Sequence, residues 1–205
     1  MPALAHLSDP DAILERSFAL VREAARLDAL PPARRAIAAR IVHATGMPEL
    51  AGQLAWSGDP DAAGRAALAA GRPILVDARM VAAGIGAPQG RPAPTVICTL
   101  DAAPRRSGGT RAAAAVDLWE AHAAGAVIAI GNAPTALFRL LECLADWAAR
   151  PAAILAFPVG FVGAAESKAA LMAAALDIPW VTLPGRLGGS AMAVAAANAL
   201  LRPPP

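Results

Sequence analysis

Proton transfer near neutral pH calls for a histidine, or for another titratable group moved far from its ordinary pKa. This chain of 205 residues offers three histidines, no tyrosine and a single lysine. His6 stands among the first residues, where chain ends fray. His122 falls near the end of a predicted helix just before Gly125, where an imidazole commonly meets the last carbonyls. His43 is placed differently. In "RIVHATG" it ends an apolar helical turn beside Thr45 and Gly46, with Arg40 three residues earlier on the same helical face. Two readings of it stand on the residues alone: a proton-transfer group, or a core or capping histidine.

The lone lysine, Lys168, closes "PVGFVGAAESK" at 158–168, a glycine-bearing stretch that invites comparison with a phosphate loop. The comparison fails, because that loop needs GxxxxGK followed by Ser or Thr. Here Ser167 precedes the lysine and no glycine does. "GIGAPQG" at 84–90 has the wrong spacing for a dinucleotide fingerprint and puts Pro88 where the helix should begin. What remains is a set of glycine-rich helix starts, "GNAPTA", "PVGFVGAAESK" and "LPGRLGGSA", with Arg111, Arg186 and Lys168 nearby. Such a layout can hold several carboxylates or phosphates through N–H groups and charge-assisted bonds. The plainer alternative is that the glycines serve tight packing and the cations are solvated.

Short apolar runs recur at 72–77, 94–100, 125–131, 152–160 and 179–185, each reading as a strand buried on both faces. Helical stretches lie between them, at 111–124, from "APTALF", from "AAESKAAL" and from "SAMAVAAANALLR", with two more around 9–28 and 32–45. Alternation of this kind predicts one α/β domain over residues 8–202, a mostly parallel sheet covered by helices on both faces, with an N-terminal helical segment. Ligands of such sheets bind beyond the carboxyl ends of the strands, where the three glycine-rich loops fall.

Composition narrows the partners. The formal charge is +2, and the arginines are scattered rather than grouped with aromatics, which argues against nucleic acid. A mean hydropathy of +0.47 is inflated by alanine. Asp117, Glu120, Glu142, Asp146 and Glu166 interrupt the apolar stretches before spanning length, so no membrane segment is expected. The first residues lack a basic lead and an apolar block, and a cytoplasmic protein is expected. Cys98 and Cys143 have no metal-ligand spacing and read as small buried hydrophobes.

Taken together, "SFALVREAA", "RIVHATG", "RAALAAGRPILVDARMVAAGI", "GNAPTALFRLLE", "PVGFVGAAESKAAL" and "GRLGGSAMAVAAANAL" resemble, in order and spacing, the precorrin-8X methylmutases of cobalamin biosynthesis. The resemblance runs from about Ser8 to the C-terminus. It implies an isomerase that moves a methyl group from C-11 to C-12 of precorrin-8 to give hydrogenobyrinic acid. It also implies a homodimer with the tetrapyrrole near the subunit interface, and no nucleotide, metal or organic cofactor. The family's catalytic histidine falls on His43, with proton transfer to the macrocycle as its role. Substrate contacts are expected from Ser17, Arg40, Thr110, Arg111, Asn132, Thr135, Lys168, Gly189 and Ser190. Arg111 would take a carboxylate bidentately, with Thr110 supplying a hydroxyl or capping the helix. Ala133, Gly188, Gly189 and Ala191 are small enough for backbone to approach the face of the disc. Leu14 stands where relatives often have tyrosine.

The metal-free substrate is favoured over its cobalt-containing counterpart. Two other classes compete: a non-catalytic tetrapyrrole carrier that hands product to the next enzyme, and a nucleotide-dependent methyltransferase.

Overall fold

Residues 7–87, 90, 92–104 and 109–202 are described by a computed structural model of the chain, which leaves His6 outside the described residues. The chain opens with α1 (Pro10–Ala24), whose N-cap Asp9 accepts a hydrogen bond from the Ala12 amide at 2.7 Å with Pro10 in the first turn. The helix predicted over 9–28 is therefore shorter. Arg26 adopts a left-handed conformation (φ 49°) that breaks it before a short 3₁₀ turn at Leu27–Ala29. α2 (Pro32–Thr45) follows, and Gly46, at φ 69°, stops it one residue past Thr45.

Six strands form one sheet: β1 (Ala55–Ser57), β2 (Ile74–Val76), β3 (Val96–Ile97), β4 (Val127–Ile130), β5 (Ala153–Ala156) and β6 (Trp180–Thr182). Their order is β1-β6-β5-β4-β2-β3, with every neighbouring pair parallel except the antiparallel edge pair β1–β6. The predicted mostly parallel sheet is thus found. β2, β4, β5 and β6 are buried on both faces as expected, whereas the edge strand β3 is half-buried.

Successive strand residues point to opposite faces. Ile74, Val76, Val127, Ala129, Leu155 and Val181 go to the core shared with α2 and α9 (Ser190–Leu201). Leu75, Ile128, Ile130, Ile154, Ala156 and Trp180 go to the core under α7 (Pro134–Asp146) and Trp119. Helices on both faces follow from that alternation. Ile37, Ile41 and Leu50 are fully buried, each contributing about 1.5–3 kcal/mol of hydrophobic stabilisation. α9 is nearly all alanine and apolar and is buried on most of its circumference, as a helix without a polar face must be. It packs most extensively on α2, and also on α3 (Pro60–Ala69) and α4 (Arg79–Gly84). Gly64 and Gly84 make room: a Cβ there would come within 2.5 Å of Leu200 and 2.6 Å of Val194.

α3 and α4 were not among the helices expected from sequence, nor was β1 among the strands. The helix predicted over 111–124 is two, α5 (Arg111–Val116) and α6 (Glu120–Ala123). Thr99 explains the break: its hydroxyl donates to the Ala115 carbonyl at 2.7 Å and accepts from the Trp119 indole at 3.0 Å, pulling that ring into the core. α8 (Ala164–Ala173) completes the set, and no helix among the described residues is long and apolar enough to cross a membrane.

Candidate active site

His43 sits in the last turn of α2. Ser17, on α1, places its Oγ 2.8 Å from the Nδ1 of His43. Its neighbour Phe18 stacks on the imidazole with ring centroids 4.8 Å apart and planes 18° from parallel. The Arg40 guanidinium lies 5.2 Å from the Phe18 centroid, which is cation–π distance. α1 buries no residue fully, yet Phe18 and Val21 pack against the core, so the α1–α2 contact carries the serine to the histidine. The imidazole itself is exposed. Beside this group runs a groove of about 830 Å³ lined by Leu14, Phe18, Ala36, Ala39, Arg35 and Arg40.

Arg40 is electrostatically unusual. Its Nε is buried and has no hydrogen-bond partner among the described residues. Burial lowers its pKa, and Arg202 and Arg65 lower it further. Those two arginines surround the C-terminal end of α9, where Arg65 donates to the carbonyls of Ala199 (2.6 Å), Leu200 (3.4 Å) and Arg202 (2.5 Å).

The remaining expected residues gather at the carboxyl ends of the parallel strands. Thr110 caps α5 by accepting from the Ala113 amide at 3.2 Å, and its hydroxyl is 2.7 Å from that of Thr135 in the first turn of α7. Arg111 is exposed at the first position of α5, and the Asn132 side chain is exposed in the loop before α7. Gly131 keeps this loop against the start of α9, since a Cβ there would stand 2.9 Å from the Cα of Ser190. Gly189 adopts φ 125° and donates its amide to the Phe157 carbonyl at 2.8 Å. Lys168, on α8, is fully buried and donates from Nζ to the Leu187 carbonyl at 2.5 Å; burial pulls its pKa down to about 8.

One residue here escaped sequence reasoning. Asp77, directly after β2, is fully buried and accepts from the amides of Gly131 (2.9 Å), Asn132 (2.9 Å) and Ala133 (2.7 Å). Burial pushes its carboxyl pKa up while those bonds pull it back. The loop leading into α7, expected to present free N–H groups to a ligand, therefore already has three amides engaged by a buried carboxyl. An acidic residue closing the buried run "ILVD" is the signal that could have found it.

The structure thus assembles the expected residues into two groups. Ser17, Arg40 and His43 form one, and Thr110, Arg111, Asn132, Thr135, Lys168, Gly189 and Ser190 form the other. Among the described residues no hydrogen bond, ion pair or ring contact joins them. Gly189 and Ser190 open α9, whereas Arg40 feels the charges at its far end. A helix of that length, 12 residues, spans about 18 Å.

The family model for precorrin-8X methylmutase matches residues 12–203. A precorrin-8X methylmutase from Sinorhizobium sp is 50% identical over 208 residues, covering 99% of each chain. A cobalt-precorrin-8 methylmutase from Methanothermobacter thermautotrophicus is 41% identical, covering 92% of this chain and 91% of that one. Among solved structures, a precorrin-8x methyl mutase from Thermus thermophilus superposes with a TM-score of 0.82 at 39% identity, covering 93% of this chain and 94% of that one. Matched along nearly its whole length in sequence and in fold, the chain belongs to the precorrin-8X methylmutase family.

Proposed function

We infer that this protein is an isomerase of cobalamin biosynthesis that converts precorrin-8 into hydrogenobyrinic acid, moving one methyl group from C-11 to C-12 of the macrocycle. The observation that carries the reading is the Ser17–His43 pair in a chain matched end to end by the family. The reaction adds and removes no atoms. His43 engages the Ser17 Oγ through Nδ1, which leaves Nε2 to carry the proton passed to the conjugated ring system. Protonation lowers the electronic barrier to the sigmatropic shift, and the same nitrogen recovers its proton afterwards. Phe18 holds the ring plane while this happens.

The second group of residues supplies recognition. Arg111 and the hydroxyls of Thr110 and Thr135 face the rim carboxylates, and the backbone at Gly188–Ser190 lies against the face of the disc. That the two groups sit toward opposite ends of α9 supports a homodimer in which one subunit brings His43 and its partner brings the loops to a shared macrocycle. Exposed Phe161 and Val162 beside the loops, and Ile13, Leu14 and Leu20 on α1, are apolar surface that such a dimer would cover. The metal-free substrate fits the higher identity, 50% against 41%, to the relative named for precorrin-8X. The reading keeps the cytoplasm as its setting, in accord with two free cysteines, and sends the product on to the next enzyme of the route.

A single-turnover experiment tests the reading. Purified protein mixed with a stoichiometric amount of precorrin-8 should convert its spectrum to that of hydrogenobyrinic acid. A carrier would bind the substrate and leave it unchanged, and a methyltransferase would stop after exhaustive dialysis without a methyl donor.

A further inference from the structure

The only lysine of the chain is fully buried, so its ammonium presents no surface to a ligand. What it touches is the β6–α9 loop. Four consecutive residues of that loop are each held against the β5–α8 side. The Arg186 carbonyl accepts from the Gly160 amide at 3.2 Å, and the Gly189 amide donates to the Phe157 carbonyl at 2.8 Å. Gly188 lies so close that a Cβ would stand 2.4 Å from the Pro158 carbonyl oxygen and 2.5 Å from that of Phe157. Leu187, whose side chain is exposed, is held through its carbonyl by Lys168 at 2.5 Å. Three of these ties are made by backbone and belong to the fold of the two loops. The fourth is made by a side chain reaching across from the second turn of α8.

We propose that Lys168 is a positioning residue, which acts on the reaction through the Leu187 carbonyl and makes no contact with the substrate. By fixing that carbonyl it keeps residues 186–189 on the path along which the backbone approaches the macrocycle before entering α9. This rests on the isomerase reading above, and it changes the role expected for Lys168 from ligand contact to loop support. A buried ammonium is a costly way to hold one carbonyl, and its lowered pKa of about 8 reflects that cost.

Two variants separate loop support from direct contact. Lys168→Met keeps the length and removes the donor, and Lys168→Gln keeps a neutral donor. Neither removes apolar packing, and loss of a desolvated charge should leave Lys168→Met as stable as the wild type or more so. Binding of hydrogenobyrinic acid is titrated, steady-state turnover of precorrin-8 is measured, and deuterium uptake of peptides covering 186–190 is followed. For Lys168→Met the proposal expects product Kd and KM to rise about tenfold, kcat to fall less than about threefold, and uptake at 186–190 to quicken. Lys168→Gln should recover most of the loss. Product affinity unchanged in Lys168→Met overturns the proposal, as does a Lys168→Gln as weak as Lys168→Met with unaltered deuterium uptake, which would mean a direct charge contact. Wild-type protein that fails to bind hydrogenobyrinic acid overturns the isomerase reading, and this proposal with it.

Discussion

Ser17 on α1 and His43 at the end of α2 meet through an Oγ–Nδ1 distance of 2.8 Å, although 26 residues separate them. That bond leaves Nε2 as the nitrogen free to exchange a proton. His43→Ala should therefore lose about 100- to 10,000-fold in turnover while still binding hydrogenobyrinic acid. His43→Asn, which hydrogen-bonds but cannot shuttle a proton, should be as inactive. Ser17→Ala removes only an orienting bond of about 1 kcal/mol, so kcat should fall about fivefold. Full activity in His43→Asn would remove the histidine from the chemistry.

Arg111 stands exposed at the start of α5, next to the Thr110–Thr135 hydroxyl pair. Arg111→Ala should weaken product binding by roughly 1–3 kcal/mol with an unchanged melting temperature, because only a charge-assisted ligand contact is lost. A titration giving wild-type affinity would exclude this arginine from the site.

Asp77 satisfies three amides in a buried position. Asp77→Ala should destabilise the fold by about 1–3 kcal/mol for each amide left unpaired, and Asp77→Asn, which retains one oxygen, by less. Urea unfolding at neutral pH measures both. Equal midpoints for wild type and Asp77→Ala would show that the loop before α7 holds itself.

Lys168 gives stability a defined pH dependence. Its folded pKa of about 8 lies below the ordinary 10.5, so the folded chain disfavours the proton. Below about pH 8 both states carry it and the cost is complete. Between about pH 8 and 10.5 the unfolded chain binds more protons, and stability should rise by up to about 1.4 kcal/mol per pH unit from this group. Relative to Lys168→Met, the wild type should be less stable at about pH 7 and draw level by about pH 10.5. A constant difference across that range would contradict the assignment.

The dimer can be tested by function as well as by mass. Light scattering at micromolar concentration should report twice the chain mass. If each site joins His43 of one subunit to Arg111 of the other, the turnover-deficient His43→Ala and the binding-deficient Arg111→Ala should complement when reassociated and assayed at subsaturating precorrin-8. Statistical mixing would restore about a quarter of wild-type turnover, since half the dimers are mixed and each of those has one intact site. Sites wholly within one chain would give no recovery.

Sequence made the central strands legible because strands buried on both faces read as unbroken apolar runs, as "GAVIAIG" and "AAILAF" do. β1 has three residues and an edge position, which leaves no such run. α4 begins after Ala78, whose side chain cannot cap it. The break between α5 and α6 depends on Thr99, 16 residues from the carbonyl it engages. The site divides along the same line. The Thr110 cap was visible in "GGTRAAA" because capping is local. Asp77 was not, because its three amides lie 54 to 56 residues further along, in the loop after β4. Lys168 stands out as the lone lysine, but its burial depends on a loop 19 residues further on.

The clamp of Arg65 on the last carbonyls of α9, with Asp61 holding the same guanidinium at 2.9 Å, fixes one end of a helix whose other end is locked against Gly131. A rod fastened at both ends tolerates substitution better than it tolerates a change of length. One residue inserted between Ser190 and Leu201 would turn Ser190 by about 100° and displace it by about 1.5 Å relative to Arg65. A surface loop absorbs such an insertion at little cost. Insertions and deletions among homologues should accordingly spare α9 and collect in loops such as that at 147–151.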